Sequence, residues 1–161
     1  MYKRKVKYID FNDQEQEDEL CFHISRGELL DMEKEEGTSL SKVLIDLGKN
    51  FNGAKIINMC QTIIMKSYGI KSPDGKQFWK KPEILEEFLY SAAYDQLLVE
   101  LTSDPADALN FLASILPLDN EQKEKIRQPI AEVKEAVDQI KAKKAEEAKA
   151  EITPVVDNNQ Q

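Results

Sequence analysis

The stretch from Gly53 to Tyr68 carries apolar side chains at Ile56, Ile57, Met59, Cys60, Ile63, Ile64 and Met65. Wound as a helix, these residues cover well over half of its circumference, and a helix that is apolar on most sides has to be surrounded by other elements. That requirement makes the segment the expected centre of the fold. The rest of the chain must then supply amphipathic elements to pack around it, and Gly69 is placed to end it as a left-handed cap.

Punctuation residues cut the flanking sequence into short elements of the right kind. Lys5 to Phe11 and Glu19 to Ile24 alternate polar and apolar, which predicts two half-buried strands joined by the polar connector Asn12 to Asp18. Paired as an antiparallel hairpin, they turn Leu20, Phe22 and Ile24 toward the core and Glu19, Cys21 and His23 away from it. Ser25 and Glu28 have the spacing of a capping box and start a helix that runs to Glu36 and Gly37. Leu40, Val43, Leu44 and Leu47 mark a second helix, closed by Gly48 and Asn50. Ser72-Pro73-Asp74-Gly75 is turn chemistry, and Phe78 and Trp79 follow as anchors onto the core. Pro82 opens a helix carrying Ile84, Leu85, Phe88 and Leu89. Tyr94, Leu97, Leu98 and Leu101 mark the next. Asp104-Pro105 caps and starts one more, with Leu109, Leu112, Ile115 and Leu116 before Pro117.

Beyond Asn120 the character changes. Ile126, Ile130, Val133, Val137 and Ile140 are spaced 4, 3, 4 and 3 on an otherwise charged helix interrupted by Pro129. This seam is the candidate protein interface: it either docks back on the domain or pairs with a second helix. The predicted class is mainly α with a small N-terminal antiparallel hairpin (α+β), a bundle of short helices followed by a long charged one. The expected divisions are 1–24 (hairpin packed on the helices), 25–117 (helical domain), 118–150 (charged helix with its seam) and 151–161 (disordered tail).

Composition narrows the chemistry. The 30 acidic against 22 basic residues give a net charge of -8 over 161 residues, which argues against a nucleic-acid backbone as partner. No apolar run is long enough to span a membrane. Cys21 and Cys60 form no disulfide framework, which suits a reducing cytoplasm. His23 shares a strand face with Cys21 but lacks an orienting third group. Cys21, His23 and Cys60 have no metal-ligand spacing. Glu35-Glu36 and Glu86-Glu87 diverge around their helices and read as solvated faces.

The order of residues from Tyr68 to Pro117 is distinctive. Tyr68-Gly69, Lys71-Ser72, Asp74-Gly75, Phe78 before Lys80-Lys81, Phe88, Ala93-Tyr94, Leu97, Glu100-Leu101, Ala108, Phe111 and Pro117 together resemble the tail assembly chaperones of long-tailed (siphovirus-type) bacteriophages of Gram-positive hosts. The resemblance covers roughly residues 5 to 117. It implies a small, non-enzymatic, self-associating helical protein with no catalytic residue, cofactor or metal. The implied partner is the tape-measure protein, kept soluble while the tail tube protein polymerises around it. The implied place is the host cytoplasm, outside the finished virion. The alternative is a generic acidic helical adaptor or inhibitor that binds a host or phage protein.

Overall fold

A computed structural model describes the fold of residues 1–150 and the side chains through residue 146; the tail expected at 151–161 lies outside the described residues. Strands β1 (Tyr2–Ile9) and β2 (Glu15–Phe22) form an antiparallel hairpin, followed by helices α1 (Arg26–Glu36), α2 (Leu40–Lys49) and α3 (Gly53–Ser67). A second, two-residue pair, β3 (Ile70–Lys71) and β4 (Phe78–Trp79), precedes α4 (Pro82–Leu89), α5 (Ala92–Ser103), α6 (Pro105–Ile115) and α7 (Asn120–Ala150). The fold is α+β with helices dominant, as the periodicities predict.

The local chemistry sets these boundaries. Ser25 Oγ accepts from the Glu28 N–H at 3.2 Å while Glu28 Oε2 accepts from the Ser25 N–H at 2.7 Å, and Gly37 (φ 68°) takes the left-handed exit of α1. Asp104 Oδ1 accepts from the N–H groups of Ala106 and Asp107, and Pro105 occupies the first helical position of α6. The Ser72–Gly75 turn is held by its own side chains: Ser72 Oγ donates to Asp74 Oδ1 at 2.6 Å and accepts from the Gln77 N–H at 3.0 Å.

Several expectations change. The hairpin turn is shorter than predicted, because Glu15 to Asp18 belong to β2 rather than to a connector. Their polarity conceals the strand. They pair with β1 through charge instead of apolar alternation, with Glu17 bonded to Lys5 at 3.2 Å, Glu19 to Lys3, and Tyr8 Oη donating to Asp18 Oδ2 at 2.6 Å. Gly69 does not end α3 in the left-handed region; Tyr68 turns extended (φ -65°, ψ 142°) and does so. Gly69 is glycine for another reason, since a Cβ there would lie 2.4 Å from the Trp79 carbonyl oxygen. Phe78 and Trp79 are only partly buried and stand outside the core that they were expected to anchor.

The core also has a different centre. Met65 is exposed on α3 and its buried face is Ile56, Cys60, Ile63 and Ile64. Helix α6 buries Ala106, Ala108, Leu109, Phe111, Leu112 and Ile115, and packs against α2, α3, α5 and α7. Small residues at Ala106 and Ala108 let neighbours approach. The hairpin seals one flank: Val6, Leu20, Phe22 and Ile24 are buried, and Arg4 is clamped to α5 and α6 by Glu100 and Asp107, each at 2.7 Å. Burial opposes the Arg4 charge, but the two carboxylates outweigh it and hold the guanidinium protonated.

Gly48 is the penultimate residue of α2, which Asn50 caps as expected, and a Cβ there would sit 2.6 Å from Pro129 Cβ of α7. An alanine in a helix interior ordinarily stabilises by about 1 kcal/mol over glycine. Here the overlap reverses the sign. Gly48→Ala is expected to destabilise by about 1–3 kcal/mol, measured as a lower denaturant midpoint with an unchanged slope.

Candidate functional site

The seam from Ile126 to Ile140 is where sequence and structure meet. Helix α7 lies across α2 and α6. Ile126, Ile130, Val133 and Val137 are buried against the chain's own helices, and Ile140 is 47% exposed. Pro129, which the periodicity treats as an interruption, is buried in the same face beside Gly48. It supplies the knob for the Gly48 notch. An isoleucine or valine period does not reveal a proline as a packing residue, and only the glycine opposite gives it a place. The proline does not stop the helix, which continues from Asn120 to Ala150.

The floor of this groove comes from α2, the most amphipathic short helix of the chain, with Leu40, Ser41, Leu44, Leu47 and Gly48 buried. Its other wall is α6. Entry to α7 is fixed by a reciprocal cap, in which Asp119 Oδ1 accepts from the Gln122 N–H at 2.7 Å and Gln122 Oε1 accepts from the Asp119 N–H at 3.0 Å. The exposed face of α7 is laced by its own pairs, Lys125–Glu121 and Arg127–Glu124.

The chemistry-bearing side chains are scattered. Cys21 is half-buried on the outward face of β2, while His23 packs edge-on to Phe78 at 5.6 Å. Partial burial, then the positive charges of the N-terminus and Lys80, lower the His23 pKa and favour its neutral form. Cys60 is buried in α3 and its Sγ lies 3.8 Å from the Ala108 carbonyl oxygen of α6. Burial pushes its thiol up to about 12, so it stays protonated at neutral pH. Glu35, Glu36, Glu86 and Glu87 are exposed on their helices. Among the described residues, no group of three or more His, Cys, Asp or Glu is arranged to hold a metal. No helix among them is long and apolar enough to cross a membrane.

A depression of about 460 Å³ lies between the outer half of the hairpin and α5 and is lined by Lys7, Tyr8, Ile9, Glu15, Glu17 and Gln96 among others. Most of these side chains are exposed, so the hollow cannot exclude water as a reaction centre must. Sequence reasoning missed Arg4 as an organising residue and, for Glu28, found the cap but not its ion pair. Arg4 falls on the same face as Val6 and Tyr8, and that position was the signal. Glu28 combines its cap with an ion pair to Lys80 at 2.6 Å, and Lys80 also donates to the Lys66 carbonyl at 3.1 Å.

Such a fold, with amphipathic helices packed on one another and dispersed reactive groups, has the construction of a helical binding protein. Comparison with known families makes this specific: the family described as "Phage tail assembly chaperone" matches residues 1–160. The chain belongs to the phage tail assembly chaperone family. No curated protein and no solved structure matches it. Membership points to a non-enzymatic role and to phage tail proteins as partners.

The two thiols provide a direct check on the placement of α3 and β2. In the folded protein Cys21 is expected to react with a thiol reagent such as a disulfide dye within minutes. Cys60 is expected to react only after denaturant is added. Two fast thiols in buffer would contradict the burial of Cys60.

Proposed function

We propose that this protein binds the tape-measure protein of a siphovirus-type phage of a Gram-positive host. It keeps that client soluble and assists assembly of the tail tube around it. It acts in the host cytoplasm and is left out of the mature virion. The observation that carries the reading is the family match over residues 1–160.

Physical chemistry makes the assignment coherent. A very long helical client exposes apolar stripes, and large exposed apolar patches drive aggregation unless they are covered. Short amphipathic helices build grooves that accept the apolar face of another helix. A net charge of -8 keeps the resulting complex apart from its neighbours.

Co-expression tests the proposal. Co-expressed with the tape-measure protein of its phage, this chain is expected to raise the client's soluble fraction several-fold and to co-purify with it. Unchanged client solubility together with no co-purification would sink the assignment. Purified virions analysed by mass spectrometry are expected to lack this chain while containing the tape measure.

A further inference from the structure

Helix α7 is attached differently from the hairpin and from α1. The hairpin is locked by the Arg4 ion pairs to Glu100 and Asp107, and α1 by the Glu28–Lys80 and Glu35–Lys66 pairs. Among the described residues, a single side-chain hydrogen bond joins α7 to the rest of the protein: Gln122 Nε2 to Ser41 Oγ, at 3.5 Å. Its other side-chain bonds lie within α7 or its own cap. The hold is therefore apolar, through Ile126, Pro129, Ile130, Val133 and Val137. Every other described side chain from Lys123 to Glu146 is exposed.

Apolar contacts are non-directional, so they can be exchanged for equivalent contacts from another helix. Pro129 also weakens the resident, because it has no N–H for the Lys125 carbonyl inside the helix. The α7 face defines what the groove accepts: apolar residues spaced 4, 3 and 4, with a compact residue opposite the missing side chain of Gly48.

We propose that the groove between α2 and α6 is a receptor for an amphipathic client helix, and that α7 is its resident, displaceable occupant. The free chaperone covers its own sticky groove. A client helix with a matching seam takes the place of α7, which swings out on the Pro117–Asp119 connection. Because α7 is tethered, it acts at high effective concentration. A client must therefore bind better than α7 does, or present many such helices, as a very long helical protein would. This rests on the client reading above but adds the site, the chemistry of the client and an internal competitor.

Hydrogen exchange on the unmodified full chain gives the first test. Amides of α7 from Ile126 to Ile140 are expected to exchange on the order of 100-fold faster than those of α6, because α7 opens without the rest of the fold. Equal protection of α7 and α6 would overturn the proposal. The second test uses full-length Val133→Glu and a labelled synthetic peptide of residues 120–141. The variant is expected to bind the peptide at least about tenfold more tightly than the wild type does, since the groove is vacated. Failure of the peptide to bind while Trp79 fluorescence stays native would also overturn it. Should the variant unfold, the exchange result on the wild type decides. If opening depends on protein concentration and differently labelled copies trade α7 in dimers, the occupant is a second copy and the client receptor is refuted. Co-expression with the tape measure can succeed in any of these cases, so the groove and the client reading fail separately.

Discussion

The hairpin, the end of α3, and helices α4, α5 and α6, all distant in sequence, are joined by a line of aromatic rings. Phe111 of α6 meets Phe22 of β2 edge-on at 5.2 Å, and Phe22 meets Tyr68 at 5.8 Å. Tyr68 stacks on Phe88 of α4 at 3.7 Å, and Phe88 meets Tyr94 of α5 at 5.3 Å. Tyr2 closes the near end against both Phe22 and Phe111. A two-stranded hairpin is marginal in water and needs a surface to pack on. Here Phe22 supplies it, wholly buried, and the backbone follows: the His23 N–H donates to the Ser67 carbonyl at 2.8 Å and the Gly69 N–H to the Cys21 carbonyl at 3.3 Å. The strand end and the α3 end are thus one junction. The close approach that excludes a side chain at Gly69 comes from β4, whose Trp79 carbonyl oxygen and Phe78 ring lie against it.

What was legible in the sequence is what local chemistry decides. The Ser25–Glu28 box, Gly37 and Asp104-Pro105 act through neighbours within a few residues, so the chain states them outright. The inward face of β2 at Leu20 and Phe22 was equally plain from alternation. What remained hidden depends on elements far away. Glu15 to Asp18 form a strand only because Lys5, Lys7 and Tyr8 stand opposite. Gly48 and Gly69 look like terminators until the backbone or ring that crosses them is known. Helix α6 buries six of its 11 residues against five of 15 on α3 because four other helices converge on it, a fact of topology that no window of sequence contains.

The candidate site was legible in the same partial way. Family resemblance pointed to assembly without saying which face engages a partner, since a binding surface needs no reactive residue and leaves no fixed spacing. The 4-3-4-3 seam was visible, yet whether its complement lay inside the chain or outside could not follow from periodicity. The polar side chains held a second clue that a pattern of apolar residues omits. The hairpin and α1 are tied by ion pairs with fixed partners through Arg4 and Glu28, whereas α4 and α7 are held by apolar contact. The near absence of such ties on α7 is a property of pairs, and pairs appear only in three dimensions.

The extent of docking on α7 follows from the length of its floor. At 1.5 Å per residue, the 10 residues of α2 and the 11 of α6 are each about 16 Å long. The buried seam from Ile126 to Val137 covers nearly the same distance at the same rise. Beyond Val137 the helix outruns its floor, so Ile140 meets water although it continues the seam perfectly in sequence. From Lys141 to Glu146 the side chains are lysine, glutamate and alanine, which sustain a helix by propensity and ask for no surface. The apolar period therefore stops one step after the groove does.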